Sequence, residues 1–321
     1  MLPASLLLRL AALDHIPEHC RRALEASTRL PARLVQDRTI RASGRVAIFN
    51  CDSGEVLPGR EVMYPALSKE SSELRAWAFT SRFRVFLDEV ASRDSIDGKG
   101  LRIDSSVTYS RAYSNAFWDG AQCVFGSGDG LMFTDFTSAA DFVAHEVLHG
   151  FTQFTSEFEY EGEAGALNES ISDVLGVSFR QWMNAEFENP DWGLAGPLLG
   201  PLALARGWRY LRNLENPQSP LSMTIQPKHY SDYSVGGEPH INSGIPNYAF
   251  FLSCVALGQL PSWLGAARVW INAMTSACSI PKASFSDFAR LTIIAAGKVL
   301  PELSNAPDAI GGAWATVGVK V

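Results

Sequence analysis

The segment from Asp141 to Gly150 reads DFVAHEVLHG and contains the pattern H-E-x-x-H. This pattern predicts a helix on which His145 and His149, four residues apart, project from the same face. Two imidazoles placed in this way can bind one metal ion, with Glu146 beside them to activate a water molecule. On this motif alone, an exposed helix with two incidental histidines stays open as the alternative.

Two histidines do not complete a catalytic zinc site, which needs a third protein ligand and an open position. The next segment, GALNESISDVLG (165–176), places Glu169 and Asp173 one helical turn apart. Glu169 could bind the metal while Asp173 accepts a hydrogen bond from a ligand imidazole and fixes its tautomer. Taken alone, both acids could equally be solvated on an outer helix face.

The composition is that of a globular protein with one large or two modest domains. Of the 321 residues, 46% are hydrophobic and 19% are charged, which argues against long disorder and against fibrous structure. There are 27 basic and 34 acidic residues, giving a net charge of −7 that argues against a nucleic-acid partner. The sequence has no apolar run of about 18 residues, so a membrane-spanning helix is not expected.

The five cysteines, Cys20, Cys51, Cys123, Cys254 and Cys278, are widely spaced and form no C-x-x-C pair. This spacing indicates neither a zinc knuckle nor a disulfide framework, and we expect buried thiols.

Residues 1–41 are rich in leucine and arginine at helical spacing, and residues 42–44 are a candidate break. The segment lacks the basic start, clean apolar core and small-residue cleavage site of a secretory signal. We therefore expect the protein to be cytoplasmic or to be exported by a non-standard route.

Strand and turn patterns precede a mostly helical second half. Residues 45–60 read as strand, turn and strand, residues 73–91 as a one-faced helix, and residues 101–109 and 115–125 as strand-rich. Beyond residue 138 helical patterns dominate, with loops at 189–200 and 213–239. The fold class predicted is α+β, with a β-rich lobe over 42–152 that includes the H-E-x-x-H helix and an α-helical lobe over 153–321. The metal site is expected in the cleft between the lobes.

Together, HEVLHG and GALNESISDVLG strongly resemble the thermolysin-like zinc metallopeptidases, the M4 family. NAFWDG (115–120), GSGDG (126–130) and HINSGIPN (240–247) extend the resemblance, which covers about residues 45–321. The short N-terminal segment, with Leu2-Pro3-Ala4-Ser5-Leu6, is more like the protealysin-like branch than like secreted thermolysin.

The resemblance implies a role for each matching residue. The implied zinc ligands are His145, His149 and Glu169; the general base is Glu146; Asp173 and Asn168 support the ligands; and Tyr160 and His240 stabilise the oxyanion. The implied substrate-binding residues are Asn115, Ala116 and Arg212 for the substrate backbone, and Phe133, Phe136, Phe142 and Leu211 for the side chain after the cleaved bond.

The implied function is that of a neutral endopeptidase with one zinc ion per chain, which cuts internal bonds of peptides or proteins on the N-terminal side of apolar residues. We expect a monomer made as a zymogen, in which residues 1–41 restrict access to the cleft; an ordinary helical extension is the alternative for this segment. A catalytically weak relative that only binds peptides or a partner protein is the alternative function. The intact Glu146 and the complete ligand set favour the enzyme. The absence of a recognisable terminus-binding motif disfavours an exopeptidase.

Two positions depart from the family pattern. Val235 stands five residues before His240, where the family usually has an aspartate that holds the imidazole. Glu238 or Asp232 could substitute for that aspartate.

The second departure concerns calcium, which thermolysin-like enzymes often bind in pairs near the zinc helices. Asp141 matches one calcium ligand, although Ser138-x-x-Asp141 is also a capping-box pattern. Arg180 stands where a glutamate ligand is expected, and glycines replace acids near Asp191. We therefore predict no paired calcium site, with Arg180 pairing with Asp141 or Asp191 instead.

Overall fold

The computed structural model describes residues 1–29, 45–69, 71–276 and 280–321. In these ranges the strands are β1 (Val46–Asn50), β2 (Arg60–Glu61), β3 (Ile103–Val107), β4 (Ala116–Trp118), β5 (Cys123–Phe125), β6 (Gly193–Leu194) and β7 (Arg212–Asn213). The helices are α1 (Ala4–Ala11), α2 (Glu18–Ala26), α3 (Ser72–Ala91), α4 (Ala140–Gln153), α5 (Gly162–Asn184), α6 (Pro201–Ala205), α7 (Pro239–Asn242), α8 (Gly244–Ala256), α9 (Ala266–Ser276), α10 (Phe285–Val299) and α11 (Ala306–Thr316).

Five strands form one mixed sheet in the order β2-β1-β3-β5-β4. The three inner strands are parallel, and the edge strands β2 and β4 each pair antiparallel with a neighbour. Helix α3 provides the crossover from β1 to β3, and Ser71 caps its first turn by accepting a hydrogen bond from the Leu74 amide. The strand expected over 101–109 ends at Val107, because Thr108 adopts a left-handed φ of 51°. Strand β4, which begins one residue after Asn115 and belongs to the NAFW segment, lies at one edge of the sheet.

Helices α4 and α5 pack against each other unusually closely at Gly176. A Cβ atom on Gly176 would lie 2.6 Å from the carbonyl oxygen of Asp141, so no side chain fits at this position. The close approach of the two helices lets Glu169 on α5 lie beside His145 and His149 on α4. Nearly every residue of α4, and of α5 as far as residue 179, is buried. Neither helix therefore shows a broad polar face in the sequence.

The N-terminal helices α1 and α2 pack against the rest of the chain. Eight apolar side chains of this segment join the main hydrophobic core: Leu2, Leu6, Leu7, Leu10, Ala11, Ile16, Cys20 and Leu24. Leu8, on the opposite face of α1, is 52% exposed. The break expected at residues 42–44, and with it the boundary after residue 41, lies outside the described residues.

The cysteines of the described ranges, Cys20, Cys51, Cys123 and Cys254, are buried free thiols as expected, and Cys278 lies outside those ranges. Among the described residues, no helix combines the length and apolar character that a bilayer span requires.

Candidate active site

The three predicted metal ligands converge at the interface of α4 and α5. The Nε2 atoms of His145 and His149 lie 3.5 and 3.6 Å from the two carboxylate oxygens of Glu169. Ligand atoms of a tetrahedral zinc ion, with bonds of about 2.0–2.1 Å, are about 3.3 Å apart, close to these separations. His145 Nε2 and Glu169 Oε2 are also buried without a hydrogen-bond partner in the described chain. These residues fit a zinc ion.

Each ligand histidine is oriented through its other ring nitrogen. His145 Nδ1 lies 3.0 Å from Asp173 Oδ1, and His149 Nδ1 lies 2.9 Å from Asn168 Oδ1. When an oxygen accepts the Nδ1 proton, the lone pair of Nε2 points at the metal position. Burial lowers the pKa of His149 although Glu169 opposes the effect, and a lower pKa favours the neutral form of the imidazole that binds a cation.

The carboxylate of Glu169 is charged in this setting. Burial alone would raise its pKa, but His240, His149 and His145 outweigh burial and lower the pKa well below its ordinary value. An ionised carboxylate is the form that binds zinc.

The Asp173 carboxylate has two further partners besides His145. Arg212 Nη1 donates to both Asp173 oxygens at 2.8 and 2.9 Å, and Asn247 Nδ2 donates to Oδ2 at 2.9 Å. Arg212 is 1% exposed, and its Nη2 has no hydrogen-bond partner among the described residues. That nitrogen is therefore available to a ligand oxygen.

Asn247, whose side chain contacts Asp173, is not among the site residues predicted from the sequence. The available signal was a polar residue within the apolar first turns of α8, GIPNYAFF, three residues before the buried Phe250. The Asn247 side chain is fully buried against Asp173.

Glu146 lies beside the ligand histidines and is fully buried. Its Oε2 has no hydrogen-bond partner in the described chain, and its Oε1 accepts from the Met1 amine at 2.7 Å. Burial alone would raise the pKa of Glu146, but the Met1 amine, His145 and His149 outweigh it and lower the pKa. The carboxylate is thus ionised and able to accept a proton.

Tyr160 and His240 meet on the other side of the Glu169 carboxylate. The Tyr160 hydroxyl donates to Glu169 Oε1 and lies 3.2 Å from His240 Nε2. His240 Nε2 lies 3.4 Å from the same carboxylate oxygen. The Tyr160 hydroxyl and His240 Nε2 therefore face one point next to the predicted metal position.

The carboxylates that the sequence offered as partners of His240 do not reach it. Glu238 accepts a hydrogen bond from Ser5, and Asp232 accepts one from Ser231; in the part of the chain described, neither bonds or ion-pairs with His240. Val235 is 91% exposed. Neither of the two substitutes that the sequence left open, Glu238 or Asp232, therefore takes the place of the missing aspartate, because both carboxylates are directed elsewhere.

The four apolar residues predicted to line the specificity pocket are all fully buried: Phe133, Phe136, Phe142 and Leu211. The ring centroids of Phe136 and Phe142 are 5.7 Å apart. The Phe142 ring stacks on the His145 imidazole at 5.5 Å, with an angle of 4° between the planes. One of these four residues, Phe142, therefore contacts a predicted metal ligand directly.

Asn115, at the start of β4, is 2% exposed and binds a peptide main chain. Its Oδ1 accepts from the Leu2 amide at 2.7 Å, and its Nδ2 donates to the Leu2 carbonyl at 3.1 Å. The neighbouring Ala116 is buried at the same sheet edge, which lies against α4.

Arg180 occupies the region where calcium ligands were considered. Its Nε donates to Asp141 Oδ2 at 3.0 Å, its Nη1 to Glu186 Oε2 at 2.8 Å, and its Nη2 to the Asp191 carbonyl at 2.7 Å. The capping-box interpretation of Ser138 and Asp141 is wrong: no side chain caps α4, and the Ser138 hydroxyl donates to the Asp135 carbonyl.

An H-E-x-x-H helix, a glutamate from the following helix and a mixed sheet that edges the cleft define a two-lobed metallopeptidase. Family models agree: the thermolysin metallopeptidase catalytic domain matches residues 39–153, and the thermolysin metallopeptidase alpha-helical domain matches residues 156–319. The chain therefore belongs to the thermolysin family, and it is a metalloendopeptidase. The family and the two-lobed α+β fold predicted from the sequence are confirmed.

Individual relatives support the same assignment. An extracellular metalloprotease of Pectobacterium carotovorum subsp. carotovorum is 38% identical over 287 residues, covering 86% of this chain and 81% of the relative. Protease PrtS of Photorhabdus sp. (strain Az29) is 31% identical, covering 92% of this chain and 74% of the relative. The solved precursor of protealysin, a metalloproteinase from Serratia proteamaculans, superposes with a TM-score of 0.87 at 30% identity, covering 100% of this chain and 99% of that one.

Proposed function

We propose that this metalloendopeptidase uses one zinc ion per chain, held by His145, His149 and Glu169, and that it acts as a monomer. It cleaves internal bonds of peptides and proteins on the N-terminal side of apolar residues, with Glu146 as the general base. The observation that carries the proposal is the convergence of three candidate ligand atoms within 4.8 Å of one another, with the ionised Glu146 beside them.

The reaction follows from the positions of these side chains. A zinc ion held by His145, His149 and Glu169 would supply Lewis acidity, which polarises a carbonyl and lowers the pKa of water to near neutral pH. Glu146 accepts the proton of the attacking water and later delivers it to the leaving nitrogen. Tyr160 and His240 donate hydrogen bonds to the oxyanion as its charge develops.

The substrate is held by groups on both lobes. The Arg212 Nη2 donates to a substrate carbonyl, and the Asn115 carboxamide pairs with the substrate main chain, as it does with Leu2. Because Arg212 and His145 share the Asp173 carboxylate, substrate binding and ligand orientation use one rigid unit.

The variant Glu146→Ala tests the assignment of the base. We expect zinc content equal to that of the wild type and a fall in kcat of about 10²- to 10⁴-fold, because the change removes a proton acceptor and not a ligand. The zinc content is measured by atomic absorption. The rate of hydrolysis is measured with a protein substrate, with and without a chelator.

His149→Ala is the matched control and should lose zinc as well as activity. A wild type without zinc, or full activity in Glu146→Ala, would contradict the proposal. The alternative of a weak relative predicts peptide binding without chelator-sensitive cleavage.

The pocket for the residue after the cleaved bond supports a preference for medium-sized aliphatic side chains. Phe133, Phe136, Phe142 and Leu211 offer no charge, so apolar side chains are favoured. The Phe142 ring adds volume where many family members have a smaller aliphatic residue, and it leaves less space for a substrate ring.

A peptide library should therefore show cleavage before Leu, Val or Ala in preference to Phe. Phe142→Val should raise the relative kcat/KM for Phe about tenfold or more, the scale expected when a hydrophobic pocket changes by a few carbon atoms. The ratio of Phe to Leu substrates is the readout, because loss of the stack on His145 would slow both equally. Phe187→Val, at a residue 46% exposed, should leave the ratio unchanged. A wild-type preference for Phe or for charged residues would refute the pocket assignment.

We further infer that residues 1–41 form an inhibitory segment, followed by catalytic lobes at 42–152 and 153–321. The support is the overlap of binding groups: Leu2 uses the Asn115 carboxamide, and the Met1 amine uses the general base. Ser5 and Arg9 attach the segment further along, to Glu238 and to the Met223 carbonyl. A substrate cannot bind Asn115 while Leu2 does.

Leu7→Asp should release this block. Leu7 is fully buried, and burying an unpaired carboxylate costs several kcal/mol. Since about 1.4 kcal/mol shifts an equilibrium tenfold, the initial rate of the zinc-loaded full chain should rise at least about tenfold. Leu8→Asp, on the exposed face of the same helix, is the matched control and should not change the rate. Deletion of residues 1–41 should act in the same direction as Leu7→Asp. Unchanged rates in well-folded Leu7→Asp, judged by melting, would count against inhibition.

We also propose that the chain has no paired calcium site, because the Arg180 guanidinium supplies the positive charge there. Three of its nitrogens are used by Asp141, Glu186 and the Asp191 carbonyl. Calcium needs six to eight oxygen ligands and would have to displace this cation.

Millimolar calcium should therefore leave the melting temperature nearly unchanged. Arg180→Met should destabilise the fold by about 3–5 kcal/mol, because it leaves the buried Asp141 without its partner. Arg290→Met, which breaks an exposed pair with Asp287, should cost at most about 1 kcal/mol. A large upward shift of the wild-type melting temperature with calcium would refute the proposal.

A further inference from the structure

We infer that Gln226 is the residue that positions His240, through the His240 backbone and in place of a carboxylate on its ring. The inference rests on the proposed function, in which His240 donates to the oxyanion.

The Gln226 side chain holds the helix that carries His240. Gln226 is 1% exposed, and its Nε2 donates to the His240 carbonyl at 2.7 Å and to the Ser243 hydroxyl at 3.0 Å. The Ser243 hydroxyl in turn donates to the same His240 carbonyl at 3.1 Å. Two side chains therefore converge on one backbone oxygen of α7.

Helix α7 needs external support because it has only four residues. A helix of one turn has few hydrogen bonds of its own, so its position depends on tertiary contacts. The backbone of Gln226 is itself held in place, because its main-chain N–H donates to the Pro217 carbonyl at 2.9 Å. A Cβ atom on Gly244 would lie 2.4 Å from the Gln226 Cβ, so α8 begins directly against this side chain.

The His240 ring has no comparable support of its own. In the described ranges its Nδ1 makes no hydrogen bond, and its Nε2 faces Tyr160 and Glu169, where the oxyanion is to be bound. The loop before α7 is fixed by Asn242, whose carboxamide pairs with the Ser234 amide and carbonyl, and this leaves Val235 in solvent. The orientation of the His240 ring therefore depends on the position of the α7 backbone, which Gln226 and Ser243 hold at the His240 carbonyl.

Gln226 does not face the metal ligands or the substrate groups, so it is a positioning residue. A displacement of α7 would misdirect the oxyanion donor without removing a substrate contact or a metal ligand. Errors of about 1 Å in such donors can cost about 10²-fold in rate. The effect should therefore fall on kcat and spare KM and zinc binding.

The test compares Gln226→Met with Gln181→Met in the full-length, zinc-loaded chain carrying Leu7→Asp. Gln181 is a matched control: it is fully buried, its Nε2 donates to the Asp191 carbonyl at 2.8 Å, and its Oε1 accepts from Ser262 at 2.5 Å. Gln226→Met should lower kcat about 10- to 100-fold with KM changed less than about twofold and zinc content constant. Gln181→Met should lower the melting temperature while kcat is retained.

A double-mutant cycle with His240→Phe identifies the route of the effect. If Gln226 acts through His240, Gln226→Met should have no further effect on kcat in the His240→Phe background. Ser243→Ala, which removes the second donor to the same carbonyl, is the milder variant if Gln226→Met does not fold, and it should lower kcat in the same way.

The inference would be overturned if kcat in Gln226→Met stayed within about twofold of the parent. The same holds for Ser243→Ala when only that variant folds. It would also be overturned if Gln226→Met lowered kcat in the His240→Phe background by the same factor as in the parent. These outcomes differ from failure of the proposed function, in which the parent itself shows no chelator-sensitive hydrolysis and the inference falls with it.

Discussion

The buried carboxylate of Asp173 is the constraint on which the site depends. A buried charge is tolerated only when it is well paired, and Asp173 meets this condition through His145, Arg212 and Asn247. Burial alone would raise its pKa, but Arg212 and His145 outweigh burial and lower the pKa. The carboxylate thus stays charged and connects three elements: helix α4 through His145, strand β7 through Arg212, and helix α8 through Asn247. Loss of any one partner would leave the others with an unsatisfied buried group.

This arrangement requires α4 and α5 to approach closely, and packing rather than polar contact provides the approach. Gly176 removes the side chain that would separate the helices at the Asp141 carbonyl. On the same side, the Phe142 ring lies flat on the His145 imidazole, so the apolar wall restrains the ligand ring that Asp173 orients from its edge. The His145 imidazole therefore contacts the Asp173 carboxylate, which lies 3.0 Å from its Nδ1, and the Phe142 ring, which covers one face.

The central part of the site could be predicted because it depends on local periodicity. Helical spacing places His145 beside His149 and Glu169 near Asp173, and the structure brings all four together. Asn247 and Gln226 could not be predicted, because their partners are 74 and 14 residues away and the sequence has no periodic signal for such contacts. Local patterns also failed where tertiary contacts competed, as at Ser138, whose hydroxyl bonds the Asp135 carbonyl instead of capping α4. The strand before Thr108 is shorter than its alternation suggests, since backbone conformation and not side-chain pattern ends it.

In the N-terminal segment, different residues provide the binding energy and occupy the cleft: the leucines of α1 bind in the core, and Leu2 contacts Asn115. Each fully buried leucine of α1 contributes about 2 kcal/mol, whereas each hydrogen bond to Asn115 contributes about 1 kcal/mol. The leucines join the main core, and Pro3, which precedes α1, connects that helix to the extended Leu2. The core-facing side of the helix thus sets the register in which Leu2 reaches the Asn115 carboxamide. In the proposed zymogen, weak main-chain contacts suffice to occupy the cleft, because the docked helix keeps their effective concentration high.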